Sequence, residues 1–82
     1  MNKFLGYIIY QPDHDDYLAL ENSDSFFDVR AYTPHPANAF LFKKLKQAKN
    51  YIKSKPEKNF QLCLLHDLGD QYAVEMFEGR LN

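Results

Sequence analysis

Apolar positions along this chain follow two rhythms, one suited to strands and one to a helix. Phe4 to Tyr10 is a run rich in β-branched and aromatic residues that ends at Gln11-Pro12-Asp13, a strand followed by a breaker. Pro12-Asp13-His14-Asp15-Asp16 then reads as a turn, and Tyr17-Leu18-Ala19-Leu20-Glu21 as the return strand of a hairpin. Asn22-Ser23-Asp24-Ser25 is a second loop. Phe26 to Tyr32 is a third strand, closed by Thr33-Pro34-His35-Pro36 because proline holds the residue before it in extended geometry.

The helical rhythm is confined to one segment. Leu41, Leu45, Ala48 and Ile52 stand at i, i+4, i+7 and i+11, a single stripe of a 3.6-residue period. Lysines, Gln47 and Asn50 fill the other positions, and Lys55-Pro56 stops the helix. Two starts fit: Pro36 in the first turn, or a short strand over Ala39-Phe40-Leu41-Phe42 with the helix beginning near residue 44. The later start is preferred, since in the longer helix Phe40 and Phe42 lie off the stripe on opposite sides of it.

Beyond Pro56, Phe60 to His66 and Gln71 to Glu78 are strands, and in the second Tyr72, Val74 and Met76 alternate with Ala73, Glu75 and Phe77. Asp67-Leu68-Gly69-Asp70 joins them as a four-residue hairpin loop. The expected fold class is therefore α+β: a single antiparallel sheet of four or five strands, in the order β-β-(β)-α-β-β, with one helix packed on one face.

Composition changes this picture little. A chain of 82 residues is expected to form a single domain over residues 1–82, burying roughly 60% of the surface its unfolded form exposes. An apolar share of 45% and a charged share of 26% are those of a globular protein. Six Tyr and seven Phe supply much of the core. No apolar run approaches the roughly 20 residues that span a bilayer, and the N-terminal run lacks the length and small-residue site of a secretory signal. No membrane partner is expected, and the expected location is the cytoplasm. Cys63 is the only cysteine, so an intrachain disulfide and a thiolate zinc site are excluded; inside Asn59-Phe60-Gln61-Leu62-Cys63-Leu64-Leu65 it reads as a buried, inert thiol.

Charge adds a candidate surface. Residues 43–58 carry seven lysines against one acid, a net of +6, while the remainder of the chain is acidic and brings the total to -1. Segregation of this kind bears on partners rather than on fold. Around Leu45, Lys43, Lys46, Lys49 and Lys53 spread over one flank, and Lys44 and Lys55 over the other. Nucleic-acid backbone and an acidic protein surface both suit such a flank. Against nucleic acid stands the absence of arginine from the segment, since arginine dominates base readout and stacking.

The densest acidic cluster is Asp13-His14-Asp15-Asp16. Asp13 and Asp15 have the spacing that starts a calcium loop, but Tyr17 and Ala19 follow and no Glu stands at the twelfth position. No metal and no cofactor is expected here, and Asp13, Asp15 and Asp16 are carried forward as a candidate partner-binding surface. His66-Asp67 has the residue types of a base and its orienting carboxylate, yet neighbours on a strand face opposite ways. With three glycines there is no phosphate-binding loop, and no serine sits in a nucleophile elbow. The chain is therefore expected to have no catalytic residues and not to be an enzyme.

Tyr7-Ile8-Ile9-Tyr10, then Tyr17-Leu18, then Ala39-x-x-Phe42 followed by Ala48-x-x-Tyr51-Ile52 together resemble a pattern of apolar spacing in short phage and mobile-element proteins, in which a hairpin is followed by a short strand, a helix and further strands. The resemblance covers most of residues 4 to 52. It departs at Phe26-Phe27, where such proteins often carry a tryptophan and this chain has none. What it implies is an accessory gene product, many of which bind and inhibit host proteins, including defence systems; it carries over no functional residue. The expected function is that of a small non-enzymatic protein-binding factor, with a sequence-nonspecific nucleic-acid-binding module on the lysine-rich helix as the alternative.

Overall fold

The computed structural model describes residues 2–22 and 29–78. Its elements are β1 (Lys3–Gln11), β2 (Asp16–Asn22), β3 (Val29–Thr33), a short 3-10 helix (Pro36–Asn38), α1 (Leu45–Lys53), β4 (Gln61–Asp67) and β5 (Tyr72–Met76). The strands form one antiparallel sheet in the order β3-β2-β1-β4-β5, with α1 across one face. The α+β expectation and its element order hold. Phe26 to Asp28 of the expected third strand and Ser23 to Ser25 of the expected loop lie outside the described residues.

Local chemistry explains the hairpin turns between β1 and β2 and between β4 and β5. Between β1 and β2, the His14 amide donates to the Gln11 carbonyl at 3.2 Å, so Pro12 occupies the position of the turn where its fixed φ is favoured. Asp15 then takes φ 54°, a left-handed conformation that Asp tolerates better than most residues. Between β4 and β5, the Leu68 amide donates to the Gln71 carbonyl at 2.8 Å, leaving Gly69 and Asp70 as a two-residue turn. Gly69 has φ 101°, a conformation that glycine adopts without the clash of a Cβ. Four residues separate the strands, as expected, but they are residues 68–71, because β4 includes Asp67.

The helix begins at Leu45, in agreement with the later of the two expected starts. Ala48 and Ile52 are buried beneath it with Ile9, Leu18, Phe42, Phe60 and Leu62, and Leu45 and Tyr51 pack at the margin of this cluster. Leu41 corrects the expected stripe. It precedes the helix and packs on the opposite face of the sheet, with Ile8, Cys63 and Leu65. Its place four residues before Leu45 mimics helical spacing, but the backbone there is extended and serves the other side.

That second face has no helix, yet Ile8, Cys63 and Leu65 are almost fully enclosed. Their cover is the connection from β3 to α1. The 3-10 helix lies against both β2 and β5, and Ala39 and Leu41 pack on the second cluster. The chain then reaches the helix side through an opening between β1 and β2, which pair with each other only at Tyr10–Tyr17 and Gln11–Asp16. Phe40 donates its amide to the Leu18 carbonyl at 2.8 Å, and Phe42 exchanges two 2.8 Å hydrogen bonds with Tyr7. Phe42 thereby takes the place beside β1 that a longer β2 would have filled. Its ring joins the helix-side cluster and stands edge-on to Phe40, 4.9 Å between centroids.

The passage is possible because residue 6 is glycine. A Cβ there would lie 2.8 Å from the Phe42 carbonyl oxygen and 2.9 Å from two carbons of Leu41, and φ is 155°. Backbone cannot give way as a flexible side chain can. Gly6→Ala is expected to lower stability by about 1–3 kcal/mol through overpacking, and Ile52→Ala by about 2–5 kcal/mol through loss of buried surface and the cavity left behind. Urea unfolding checks both, and an unchanged midpoint for Gly6→Ala would contradict the close approach.

Candidate functional site

Of the three acids at the β1–β2 turn, two are engaged in holding it. The Tyr10 hydroxyl donates to Asp15 Oδ1 at 2.6 Å, and Gln11 Nε2 donates to Asp16 Oδ1 at 3.3 Å. Asp13 is exposed and has no such partner among the described residues. The hydrogen bond to Asp15 and, after it, burial push the Tyr10 phenol from its ordinary value of 10 up to about 12. Tyr17, whose ring lies 5.2 Å from that of Tyr10, is pushed up mainly by burial. Among the described residues no group of His, Cys, Asp and Glu is gathered as a metal site.

The lysines fall into two sets. Lys46, Lys49 and Lys53 share one flank of α1, while Lys43 lies ahead of the helix and Lys44 is its N-cap. Lys49 is partly covered, its Nζ 5.3 Å above the Phe77 ring, and Lys55 leans on Tyr51 at 5.6 Å. The helix start is electrostatically poor. It has no side-chain cap and no acid in its first turn, and Lys43, Lys44 and Lys46 surround a terminus that favours negative charge. These lysines therefore detract from local helix stability, as residues at interaction surfaces often do.

A third surface was not singled out from the sequence. β5 is an edge strand, and its pairing to β4 is regular from Cys63–Met76 to Asp67–Tyr72. The Phe77 amide donates to the Leu62 carbonyl at 2.9 Å, which, with the Leu68–Gln71 bond, sets the phase of the ladder. Antiparallel pairing alternates, so Gln71, Ala73, Glu75 and Phe77 turn their backbone groups toward β4, and Tyr72, Val74 and Met76 turn theirs outward. The same three residues expose their side chains: Tyr72 50%, Val74 36% and Met76 60%. Val74 and Met76 pair with Leu65 and Cys63, and Tyr72 with Asp67, which places the three on the face opposite α1, where the 3-10 helix also approaches β5. Among the described residues no strand pairs with this edge, which offers backbone hydrogen-bonding groups and an apolar stripe together. It also lacks the proline, lysine or bulge with which edge strands are usually blunted.

The remaining sequence candidates resolve simply. His66 and Asp67 do not pair with each other; His66 Nε2 lies 3.0 Å from Glu75 Oε1 across the β4–β5 ladder, and its ring meets Phe4 at 5.6 Å. Cys63 is buried, and burial pushes its thiol up to about 11, far from a reactive thiolate. His35 is exposed beside the 3-10 helix. No cavity opens among the described residues, and none of their helices is long and apolar enough to cross a membrane. Comparison of the chain with family models, with curated proteins and with solved structures yields no match.

The link between Tyr10 and Asp15 has a pH signature. Because the folded-state value is raised, stability that depends on neutral Tyr10 is fully present below pH 10 and is lost as pH rises through about 12. Ultraviolet titration of wild type against Tyr10→Phe should reveal one late-ionising phenol, and Asp15→Asn should bring it earlier. A Tyr10 phenol that ionises near pH 10 in wild type would contradict the contact.

Proposed function

We propose that this chain is a small non-enzymatic protein-binding accessory factor, acting in the cytoplasm, that accepts an extended strand of a partner protein along β5. The observation that carries this reading is the coincidence, at Tyr72, Val74 and Met76, of outward backbone groups with exposed apolar side chains. Strand addition uses both: main-chain hydrogen bonds give affinity, and alternate side chains give specificity. The apolar spacing shared with short phage and mobile-element proteins supports a host protein, such as a defence component that the chain inhibits, as the partner. Two charged surfaces stand ready to steer encounter: the acidic turn at Asp13, Asp15 and Asp16, and the flank of Lys46, Lys49 and Lys53 with Lys43 nearby.

The rival reading, nonspecific nucleic-acid binding through the lysines, is favoured by the uncapped, lysine-rich start of α1. It has no use for the β5 edge, and it lacks arginine where backbone and base stacking would need it.

Affinity capture from host lysate by the immobilised protein, compared with Val74→Lys and with Lys46→Glu/Lys53→Glu, separates the two. Val74→Lys is expected to abolish retention of the partner, and the lysine reversal to slow association more than it speeds release. Binding to duplex DNA or RNA in the micromolar range or tighter at about 150 mM salt, lost when Lys43, Lys46, Lys49 and Lys53 become glutamine, would transfer the function to the rival.

A further inference from the structure

The geometry points to a second copy of this chain as the occupant of the β5 edge when no partner strand is present, paired antiparallel about a two-fold axis at Val74. This rests on the reading of β5 as a docking edge and names what first fills it. A two-fold contact uses the same patch on both subunits, so the strand must complement itself.

In the register that sets Val74 opposite Val74, Tyr72 falls opposite Met76 of the other copy on both sides of the axis. Every outward backbone group of Tyr72, Val74 and Met76 then finds its counterpart, because the residues that point outward meet residues that point outward. On the exposed face an aromatic ring meets a thioether at each end and a β-branched pair sits at the centre, combinations that favour cross-strand contact. On the helix side Glu75 falls opposite Ala73, so no like charges stand directly across the β5 ladder, and His66 lies 3.0 Å from each Glu75 within its own subunit.

Other registers are worse for stated reasons. A slide of two residues one way puts Glu75 against Glu75 of the other copy, a like-charge pair. A slide the other way sets Met76 against Asp70 and leaves only two outward-facing pairs. The short strand and its regular pairing to β4 leave no bulge to absorb an intermediate shift. A net charge of -1 also leaves little general repulsion between copies. The product is a continuous sheet, in which the Cys63–Leu65 row of each copy extends through Met76 and Val74 across the axis.

Cysteine substitutions at one position each read the register directly. In the proposed pairing the Val74 α-carbons stand about 5.5 Å apart, within disulfide reach, while Ala73 and Glu75 each face the other residue type. Native Cys63 is buried and does not compete. On mild oxidation Val74→Cys is expected to cross-link, Ala73→Cys and Glu75→Cys alone are not, and a mixture of the last two is. Light scattering of the wild type should rise with concentration from 9.7 kDa toward twice that mass, and Val74→Lys should remain at the monomer mass with an unchanged far-ultraviolet spectrum. A wild type that stays monomeric at millimolar concentration with no cross-link at position 74 overturns the inference. So does a dimer in which Ala73→Cys or Glu75→Cys cross-links alone, or one that Val74→Lys leaves intact. Monomeric wild type that still loses its captured partner on Val74→Lys would overturn the self-pairing alone and leave the docking edge standing.

Discussion

The carbonyl oxygen of Phe42 lies where a side chain on residue 6 would have to begin, at 2.8 Å from the position of its Cβ. Much of the architecture depends on that approach. Because Gly6 admits the backbone of Leu41 and Phe42, the connection from β3 can be hydrogen-bonded to Tyr7 on one side and to Leu18 on the other. An extended segment alternates its side chains, so one short stretch sends Leu41 to the second face and Phe42 to the helix side. The backbone groups of Tyr7, which point away from β4, would otherwise lie unpaired within the sheet, an expensive condition for buried amides.

Both faces of the central strands are closed in this way with a single nine-residue helix. In a chain this small, a second helix on the far face is a costly element in length, and the connection substitutes for it. The cover is narrow, however. It encloses Ile8, Cys63 and Leu65 and, although the 3-10 helix also touches β5, leaves Tyr72, Val74 and Met76 partly exposed. The exposed stripe on β5 is therefore where the enclosure of the second face thins, and it coincides with the edge of the sheet among the described residues. An uncovered apolar edge is an aggregation hazard unless something pairs with it, which gives the protein-docking proposal its physical motive.

Much of this was legible in the sequence, and the failures have identifiable causes. Strand runs such as Tyr7-Ile8-Ile9-Tyr10 and the Ala48–Ile52 stripe are periodic over several residues, and Pro12, Gly69 and Pro56 punctuate them with known backbone preferences. Leu41 was misplaced because an extended residue four positions before a helix matches the helical period by coincidence. The role of Gly6 is invisible locally, since it depends on contact with residues 35 and 36 positions away in sequence. Among the surface features, the lysine flank follows from helical spacing alone. The β5 edge does not, because alternation gives two faces without saying which is covered, and strand order is set by non-local pairing. The acidic turn was visible as a cluster, whereas the anchoring of Asp15 by Tyr10 required the hairpin to bring them together.

The threading of Leu41 and Phe42 against Gly6 is tested most directly by native-state hydrogen exchange of the Phe42 amide. That amide is bonded to the Tyr7 carbonyl within the short segment between the 3-10 helix and α1. If the connection is integral to the sheet, Phe42 should exchange only through global unfolding, with the same opening free energy as Ile8 and Cys63, which pair across β1 and β4, and the same dependence on denaturant. Exchange of Phe42 at the rate of an exposed loop, while Ile8 and Cys63 remain protected, would contradict the account.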